Sequence, residues 1–198
     1  MKWVALAIML VIVPYTFLTL YYRKPGPAYR PYQDAQERAN VVRLLSAGYR
    51  RITLVAQRPA DPSRPAATVA TTTVATTTAA TAGLPAELLS TLVEPPLLPA
   101  SILHISAAPS ASALLPYPIQ FTCTLPNDKQ QLAGAQLYMK GEEIVVTPDF
   151  EHLIGGLHTR TRENVILLTV PGGTFQPGTY RVTLAGQQSS RAWTLQVK

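Results

Sequence analysis

The chain has 198 residues, of which 47% are hydrophobic and 14% charged, with a formal net charge of +6. Residues 1–58 hold nine basic and two acidic side chains. Residues 59–100 hold one basic and three acidic side chains, and residues 101–198 hold seven basic and six acidic side chains. This concentration of positive charge in the N-terminal third argues against nucleic-acid binding, which needs basic residues spread over a folded face. A single cysteine excludes an intramolecular disulfide framework and a cysteine-based zinc or cluster site within one chain.

The first predicted element is a single transmembrane helix. Residues 3–22 contain no charged side chain, and twenty helical residues span about 30 Å, the thickness of the hydrocarbon core of a bilayer. We therefore predict a membrane anchor over residues 1–24. Its membrane-interface residues are expected to be Trp3, Tyr21, Tyr22, Arg23 and Lys24. A cleaved signal peptide is the alternative, although its apolar core is normally shorter and Gly26-Pro27-Ala28 is a poor cleavage site.

The sequence gives two conflicting signals about the side of the membrane that the C-terminal part occupies. Basic residues are more frequent after the apolar run than before it, which on the positive-inside rule favours a cytoplasmic C-terminal part. The Ala/Thr/Pro-rich composition of residues 59–82 is typical of extracytoplasmic stalks. We predict a single-pass protein of the cell membrane with an extracytoplasmic C-terminal domain.

Residues 25–58 form a basic juxtamembrane segment. Asp34 and Glu37 resemble a capping box, which predicts a short helix over residues 35–47. Residues 50–56 are rich in β-branched residues and predict a short strand. One helix and one strand cannot bury a core alone, so this segment must dock on the membrane surface, on a partner subunit or on the C-terminal domain. Its arginines suit anionic lipid headgroups.

Residues 59–100 are expected to be a disordered Ala/Thr/Pro-rich stalk. Residues 59–82 contain eight alanines and eight threonines among 24 residues. Such a composition buries too little apolar surface to offset the entropy of ordering the chain. Within residues 83–100, several leucines have the spacing of one or two short helical turns.

Residues 101–198 alternate apolar and polar side chains with turn signals between the runs, which predicts seven short strands in a mainly β sandwich. Residues 176–184, Gln-Pro-Gly-Thr-Tyr-Arg-Val-Thr-Leu, resemble the entry into the sixth strand of immunoglobulin-like and fibronectin-type-III-like modules. In those modules a tyrosine near the start of that strand closes a corner, and Tyr180 matches its position. The resemblance covers only this C-terminal half and implies a fold that is often used for adhesion or interaction.

Few side chains in the sequence suggest chemistry. The candidate metal ligands are dispersed rather than in a short ligand motif, and they are His104, Cys123, His152 and His158, with Met139 as a thioether. Because Cys123 shares an alternating face with Ile119 and Phe121, it is expected to be a core thiol. The acidic residues Glu142, Glu143, Asp149 and Glu151 flank a turn and a loop, where solvated charge is normal. We predict no catalytic residue, no metal site and no cofactor.

The irregular stretch 147–163 is the candidate partner-binding loop of the domain. Its apolar side chains Phe150, Leu153 and Leu157 could pack on the sandwich or contact a partner. The segment order therefore predicts a non-catalytic, membrane-anchored accessory protein of the cell envelope that presents a β domain to an unidentified protein partner.

Two alternatives remain open at this stage. The chain could be a small subunit or assembly factor of a membrane complex, such as a respiratory oxidase, that acts through residues 1–58. It could instead carry a glycan- or copper-binding module.

Overall fold

The computed structural model describes residues 2–22, 31–59, 74–155 and 157–198. These residues fall into two compact units, Met1–Ala35 and Gln36–Lys198. Arg23 and Lys24, predicted at a membrane interface, lie outside the described residues, as does the part of the predicted stalk over residues 60–73.

The first unit contains helix α1, Lys2–Tyr22, with Pro14 inside it. The hydroxyl groups of Thr16 and Thr19 donate to the carbonyls of Ile12 and Tyr15, each at 2.7 Å. These bonds to the residue four positions earlier satisfy the hydroxyls within the helix itself. Within the described part of the chain, no helix is both long enough and apolar enough to cross a membrane.

Helix α2, Pro31–Ser46, is the helix predicted over residues 35–47, and it begins earlier than expected. Proline is tolerated in a first helical turn because the N–H that it lacks would have no partner inside the helix. At the other end Gly48 has a positive φ of 80° and its N–H donates to the Leu45 carbonyl. Glycine adopts this conformation without steric cost, so it ends the helix close to the predicted boundary.

The second unit is mainly β, as predicted, and its described strands form one strongly curved sheet. In chain order the remaining elements are β1 (Arg50–Gln57), β2 (Thr78–Ala80), α3 (Ala86–Thr91), β3 (Ser101–Ala107), β4 (Ser110–Ala111), β5 (Tyr117–Thr124), β6 (Gln130–Lys140), β7 (Glu143–His152), β8 (Glu163–Val170), β9 (Gly178–Leu184) and β10 (Ser190–Val197). The order across the sheet is β2-β10-β9-β7-β6-β1-β8-β5-β3, and β4 also pairs with β10.

Strand β1 joins the two halves of this sheet. Residues 50–54 pair antiparallel with β6, and residues 55–57 pair antiparallel with β8. Leu54, where the pairing changes, is 3% exposed and belongs to the main core. The juxtamembrane segment is predicted to dock on the membrane surface, on a partner subunit or on the C-terminal domain. Its strand β1 docks on the C-terminal domain.

The far edges of the sheet approach one another, so that one core is enclosed. The N–H of Ile102 in β3 donates to the Ser189 hydroxyl beside β10, and the N–H of Ala75 donates to the carbonyl of Ala107. The enclosed core is built from the inward side chains of every long strand. Its largest members include Ile102, Ile119, Phe121, Leu137, Ile144, Ile166, Leu168, Leu184 and Leu195.

The expectation of a disordered stalk is wrong for residues 74–100. Strand β2 pairs with Ser190–Ala192 of β10, and α3 packs on the outer face of β6 and β7. This packing forms a second cluster, which consists of Leu44, Tyr49, Leu88, Leu92, Tyr138, Val145 and Ala185. The leucines of α3 supply the apolar surface that the preceding Ala/Thr tract lacks, and their burial offsets the entropy of ordering this segment.

Polar contacts reinforce the attachment of α3 to the sheet. Glu87 of α3 forms an ion pair with Lys140 at the end of β6. The Lys140 ammonium lies 5.1 Å from the centre of the Tyr49 ring, within the range of a cation–π contact. Burial is the main cause that raises the pKa of Tyr49, and the adjacent Glu87 carboxylate raises it further.

Candidate functional site

The candidate metal ligands do not converge. His104 and His152 are exposed on β3 and β7, whereas Cys123 is fully buried in the core. Burial raises the pKa of the Cys123 thiol to about 12, so the thiol is protonated at neutral pH. Within the described residues, no group of three or more histidine, cysteine or acidic side chains could hold a metal ion.

His158 lies in the loop after β7, where it fastens the loop to the turn before β6. Its ring Nδ1 is 2.9 Å from an Asp128 carboxylate oxygen, and the Thr159 N–H donates to the Asp128 carbonyl at 2.7 Å. The hydrogen bond with His158 lowers the pKa of Asp128. The two side chains are 51% and 43% exposed, so this pair is a surface contact that shapes the loop.

The predicted partner-binding loop is only partly available to a partner. Phe150 is 2% exposed and belongs to the main core, so its side chain is not at the loop surface. Leu153 is half-buried, whereas Leu157 is 62% exposed. Ile154, which belongs to the same loop, is 85% exposed.

Among the acidic residues of β7, Asp149 and Glu151 lie two residues apart on one face of the strand, whereas Glu143 is too far from Asp149 to form a pair with it. Glu143 and Asp149 lie six residues apart on one face of the strand, a separation of about 20 Å. A pair of glycosidase carboxylates lies about 5 to 9.5 Å apart. Burial is the main cause that raises the pKa of Asp149, and its partners are the backbone groups of Leu97 and Phe150.

A groove lies on the outer face of the sheet in the second unit. It comprises two adjoining cavities of about 480 and 530 Å³, which share Glu143 and Arg181. The residues between β2 and α3 form one wall. The floor comes from β7, β9 and β10, and its side chains include Thr179, Arg181, Thr183, Ala192 and Thr194.

Backbone hydrogen bonds hold the wall of the groove in place. The Gly83 N–H donates to the Gly186 carbonyl at 2.8 Å, and the Ser190 hydroxyl lies within 3.5 Å of the carbonyls of both glycines. The Thr78 hydroxyl donates to the Ala192 carbonyl at 3.3 Å, which fastens β2 to β10. The groove is therefore bounded by an ordered edge of the sheet rather than by a free loop.

Opposite charges meet at the centre of the groove. Glu143 and Arg181 are direct partners in the parallel pairing of β7 with β9, and both are exposed. Within the described part of the chain, neither side chain forms an ion pair. A guanidinium, two carboxylates including Glu142, and several threonine hydroxyls offer both donors and acceptors, so the groove suits recognition of a polar ligand by hydrogen bonds.

Sequence reasoning missed the groove because its parts are distant along the chain. Thr78, Glu143 and Arg181 belong to β2, β7 and β9, which come together in the run β2-β10-β9-β7 only in the folded sheet. The one local signal was the polar half of the alternation in β9, Thr179-Arg181-Thr183, which an ordinary solvated face also has.

The structure describes the side chains of only some of the predicted membrane-interface residues. Tyr21 is 75% exposed in α1, and its ring stacks on Phe17 with centroids 6.4 Å apart. Trp3 and Tyr22 lie in the same helix, but their side chains are not among the described ones.

No protein-family model, no curated protein and no solved structure matches this chain. The features of this chain that bear on its function are the residues of α1 and the surfaces of the second unit.

Proposed function

We propose that this chain is a non-catalytic accessory protein of a cell envelope, anchored in the membrane by α1. The second unit would present its β domain to a protein partner on the extracytoplasmic side. Residues 60–73 then lie within the presented part of the chain and do not separate two functional parts, since β1 and β2 on either side of them belong to the same sheet.

The observation that carries this proposal is that one chain contains both helix α1 and a separate compact unit. Residues 3–22 have no charged side chain, and a helix of this length spans about 30 Å. The side chains of residues 9–19 are exposed, including Leu10, Val11 and Phe17. A row of exposed apolar side chains of this length is costly in water and stable in a bilayer.

Carbonate extraction of membranes tests the anchor. The full chain is expected to stay in the membrane pellet, whereas a variant that lacks residues 2–22 is expected to be released. Reporters fused to the C-terminus, one active outside and one active inside the cytoplasm, then report the side. Release of the full chain by carbonate, or activity of the cytoplasmic reporter alone, would contradict the proposal.

We further propose that the groove is where the partner binds. An extended polar segment could hydrogen-bond to the threonine hydroxyls while its charged groups meet Glu143 and Arg181. Both charges lack an ion-pair partner among the described residues, so a ligand would not have to break a salt bridge to engage them.

Site-specific photocrosslinking in native membranes tests the groove. A crosslinker at Thr183, inside the groove, is expected to give a discrete adduct, and one at the exposed Thr53 on β1 is not. Arg181→Glu should remove the adduct, and Arg191→Glu on the neighbouring strand serves as the matched charge reversal. An adduct that is equally strong in all four proteins would place partner binding elsewhere.

The immunoglobulin-like character of the domain is also a proposal. It is supported by the Tyr180 hydroxyl, which donates to the Gln176 carbonyl at 3.0 Å, and by the neighbouring order β3-β5-β8. The parallel pairing of β7 with β9 departs from that family, in which the third strand lies beside the sixth.

A role carried by residues 1–58 alone, as in a subunit or assembly factor of a membrane complex, is less well supported. Residues 50–57 form the strand that joins both halves of the sheet, so they depend on the rest of the domain. A glycan ligand remains compatible with the polar groove. The dispersed positions of His104, His152 and His158 do not favour a copper site.

A further inference from the structure

Helix α2 has a second apolar face that the domain does not cover. Val41, Val42 and Leu45 are 39%, 66% and 64% exposed, whereas Leu44 between them is 1% exposed and packs in the second cluster. At 100° per residue, the three exposed side chains and Arg38 project within one sector of the helix, displaced from Leu44. The helix is therefore apolar on two faces, and only one of them is buried.

The segment between β2 and β3 extends this exposed face. The Val93 N–H, after α3, donates to the Asn40 side-chain oxygen at 2.8 Å, so Val93 lies beside α2. The Val93 side chain is itself 38% exposed. We call Val41, Val42, Leu45 and Val93 the α2 face.

Basic side chains accompany the α2 face. Arg38, Arg43 and Arg50 are exposed, and no described ion pair involves them. The nearby Glu37 carboxylate is already paired with Arg51, with 3.0 Å between the oxygen and the guanidinium nitrogen. At 100° per residue, Arg38 projects within the sector of the α2 face, whereas Arg43 projects about 150° from the centre of that sector. An unpaired arginine among apolar side chains is typical of helices that lie at the surface of anionic membranes.

We infer that the α2 face docks on an anionic bilayer surface. The inference rests on the proposed function, because an anchored α1 would keep the surface within reach: eight residues separate α1 from α2, and such a stretch reaches at most about 30 Å. Valine and leucine side chains would enter the interface while Arg38 meets lipid phosphates. A second copy of the chain is a poorer occupant, since its own arginines would face those of the first copy.

A fluorescent label placed on the α2 face tests the inference. Cys123 is buried and protonated at neutral pH, so a single introduced cysteine can be labelled selectively in the full chain. Val42→Cys, labelled with an environment-sensitive dye, reports on the α2 face. Ile154→Cys is the matched control, because Ile154 is an equally apolar and more exposed residue on a distant loop. Each protein is placed in nanodiscs at one chain per disc, with lipids either neutral or one-third anionic.

The expected result is a blue shift of the dye at position 42 in anionic discs, a smaller shift in neutral discs, and none at position 154. Arg38→Gln should lose most of the shift at position 42, whereas Arg43→Gln, on the opposite side of the same helix, should keep it. An unshifted dye at position 42, or an equal shift at both positions, would overturn the inference. A shift that appears only when two chains share a disc would overturn it in favour of self-association.

The same labelled proteins, reconstituted in vesicles, separate this inference from the proposed function. Anchoring is read from retention of the full chain after carbonate washing of vesicles, and docking from the dye. Retained chain with an unshifted dye overturns only the docking of α2. Chain lost to carbonate overturns the anchor, and the dye shift on anionic vesicles before washing then still tests the docking.

Discussion

The indole N–H of Trp193 in β10 donates to the phenol oxygen of Tyr117 in β5, with 3.2 Å between the two atoms. The Tyr117 hydroxyl in turn donates to the Ala108 carbonyl at 2.7 Å. Both rings are 3% exposed, so the chain of two hydrogen bonds crosses the core between the two halves of the sheet. It satisfies the polar atoms of two large aromatic side chains where water cannot reach them.

Replacement of Tyr117 by phenylalanine removes only one oxygen atom, but it should clearly lower the stability of the domain. Tyr117→Phe leaves the buried Trp193 N–H and the partly buried Ala108 carbonyl without this partner, and we expect a loss of roughly 1–3 kcal/mol in the free energy of unfolding. Urea unfolding of the full chain in mild detergent measures it. Tyr180→Phe is the comparison, because it removes one hydrogen bond, to Gln176 at 3.0 Å. Equal stability of Tyr117→Phe and the native chain would contradict this account.

The position of β1 in the middle of the sheet predicts that the folded domain needs residues before Ser101. Without residues 36–100, β6 and β8 lose the strand between them and β10 loses β2. Two unpaired edges and an uncovered core should leave the fragment 101–198 without a cooperative unfolding transition. The fragment 36–198 should unfold cooperatively. A folded 101–198 fragment, judged by a sharp thermal transition in circular dichroism, would show that β1 is dispensable.

The contrast between β1 and β10 explains how far the sequence predicts this fold. In β10, apolar side chains alternate at Trp193, Leu195 and Val197, and all three are buried as the alternation predicts. Residues 50–56 also predict a strand, but its partners are about 80 and 110 residues away. Local alternation identifies a strand and its inward face, whereas partner choice depends on contacts that alternation does not encode.

The predicted stalk shows that amino-acid composition, too, does not encode the partner of a segment. Residues 74–82 are mostly alanine and threonine, which indicates disorder, yet Thr78–Ala80 pair with the edge of β10. A backbone edge accepts hydrogen bonds from any sequence, so small side chains do not prevent pairing. The groove was unpredictable for the same reason, because it depends on the place of β2 beside β10 and of β7 beside β9.

The ordering of residues 83–100 is tested by two adjacent leucines. Leu88 is fully buried in the second cluster, whereas Leu89 is 48% exposed. Leu88→Ala should cost about 2–5 kcal/mol of stability through lost apolar contact and a cavity, whereas Leu89→Ala should change it by less than about 0.5 kcal/mol. Limited proteolysis should also cut between residues 81 and 100 faster in Leu88→Ala alone. Equal effects of the two variants would mean that α3 is not packed on the sheet.

Alkaline pH should destabilise the domain through Cys123 before it does so through tyrosine. Burial raises the pKa of this thiol to about 12, whereas an unfolded cysteine has a pKa of about 8.5. Between these values the unfolded chain releases a proton that the folded chain keeps, so the free energy of unfolding falls as pH rises. The effect is absent below about pH 8 and grows through pH 9 and 10.

Cys123→Ala isolates this contribution. It removes the titrating thiol, so the decline in stability between pH 8.5 and about 10 should become shallower than in the native chain. Burial also raises the pKa of Tyr117 to about 12, which adds a decline only above about pH 10, where unfolded tyrosine ionises. Urea unfolding at half-unit pH intervals measures both slopes. Parallel curves for the two proteins would mean that Cys123 is not buried as a thiol.

A glycine fastens the groove wall to the sheet and supports the last prediction. A side chain at Gly186 would place its Cβ 2.4 Å from the Ser189 carbonyl oxygen and 3.2 Å from Ile102. Because the nearer atom belongs to the backbone, Gly186→Ala must shift the turn, and we expect a loss of about 1–3 kcal/mol. The shift also moves the Gly186 carbonyl that accepts from Gly83, so a crosslinker at Thr183 should lose its adduct.

The matched variant is Gly134→Ala at the bulge of β6, where no atom lies within 4 Å of the new Cβ. Its thermal midpoint should stay close to that of the native chain, and its crosslink at Thr183 should persist. If Gly186→Ala kept both its midpoint and its crosslink, the contact between the turn and the Gly83 segment would not be what shapes the groove. If Gly134→Ala lost both, general weakening of the sheet rather than the groove wall would explain the loss.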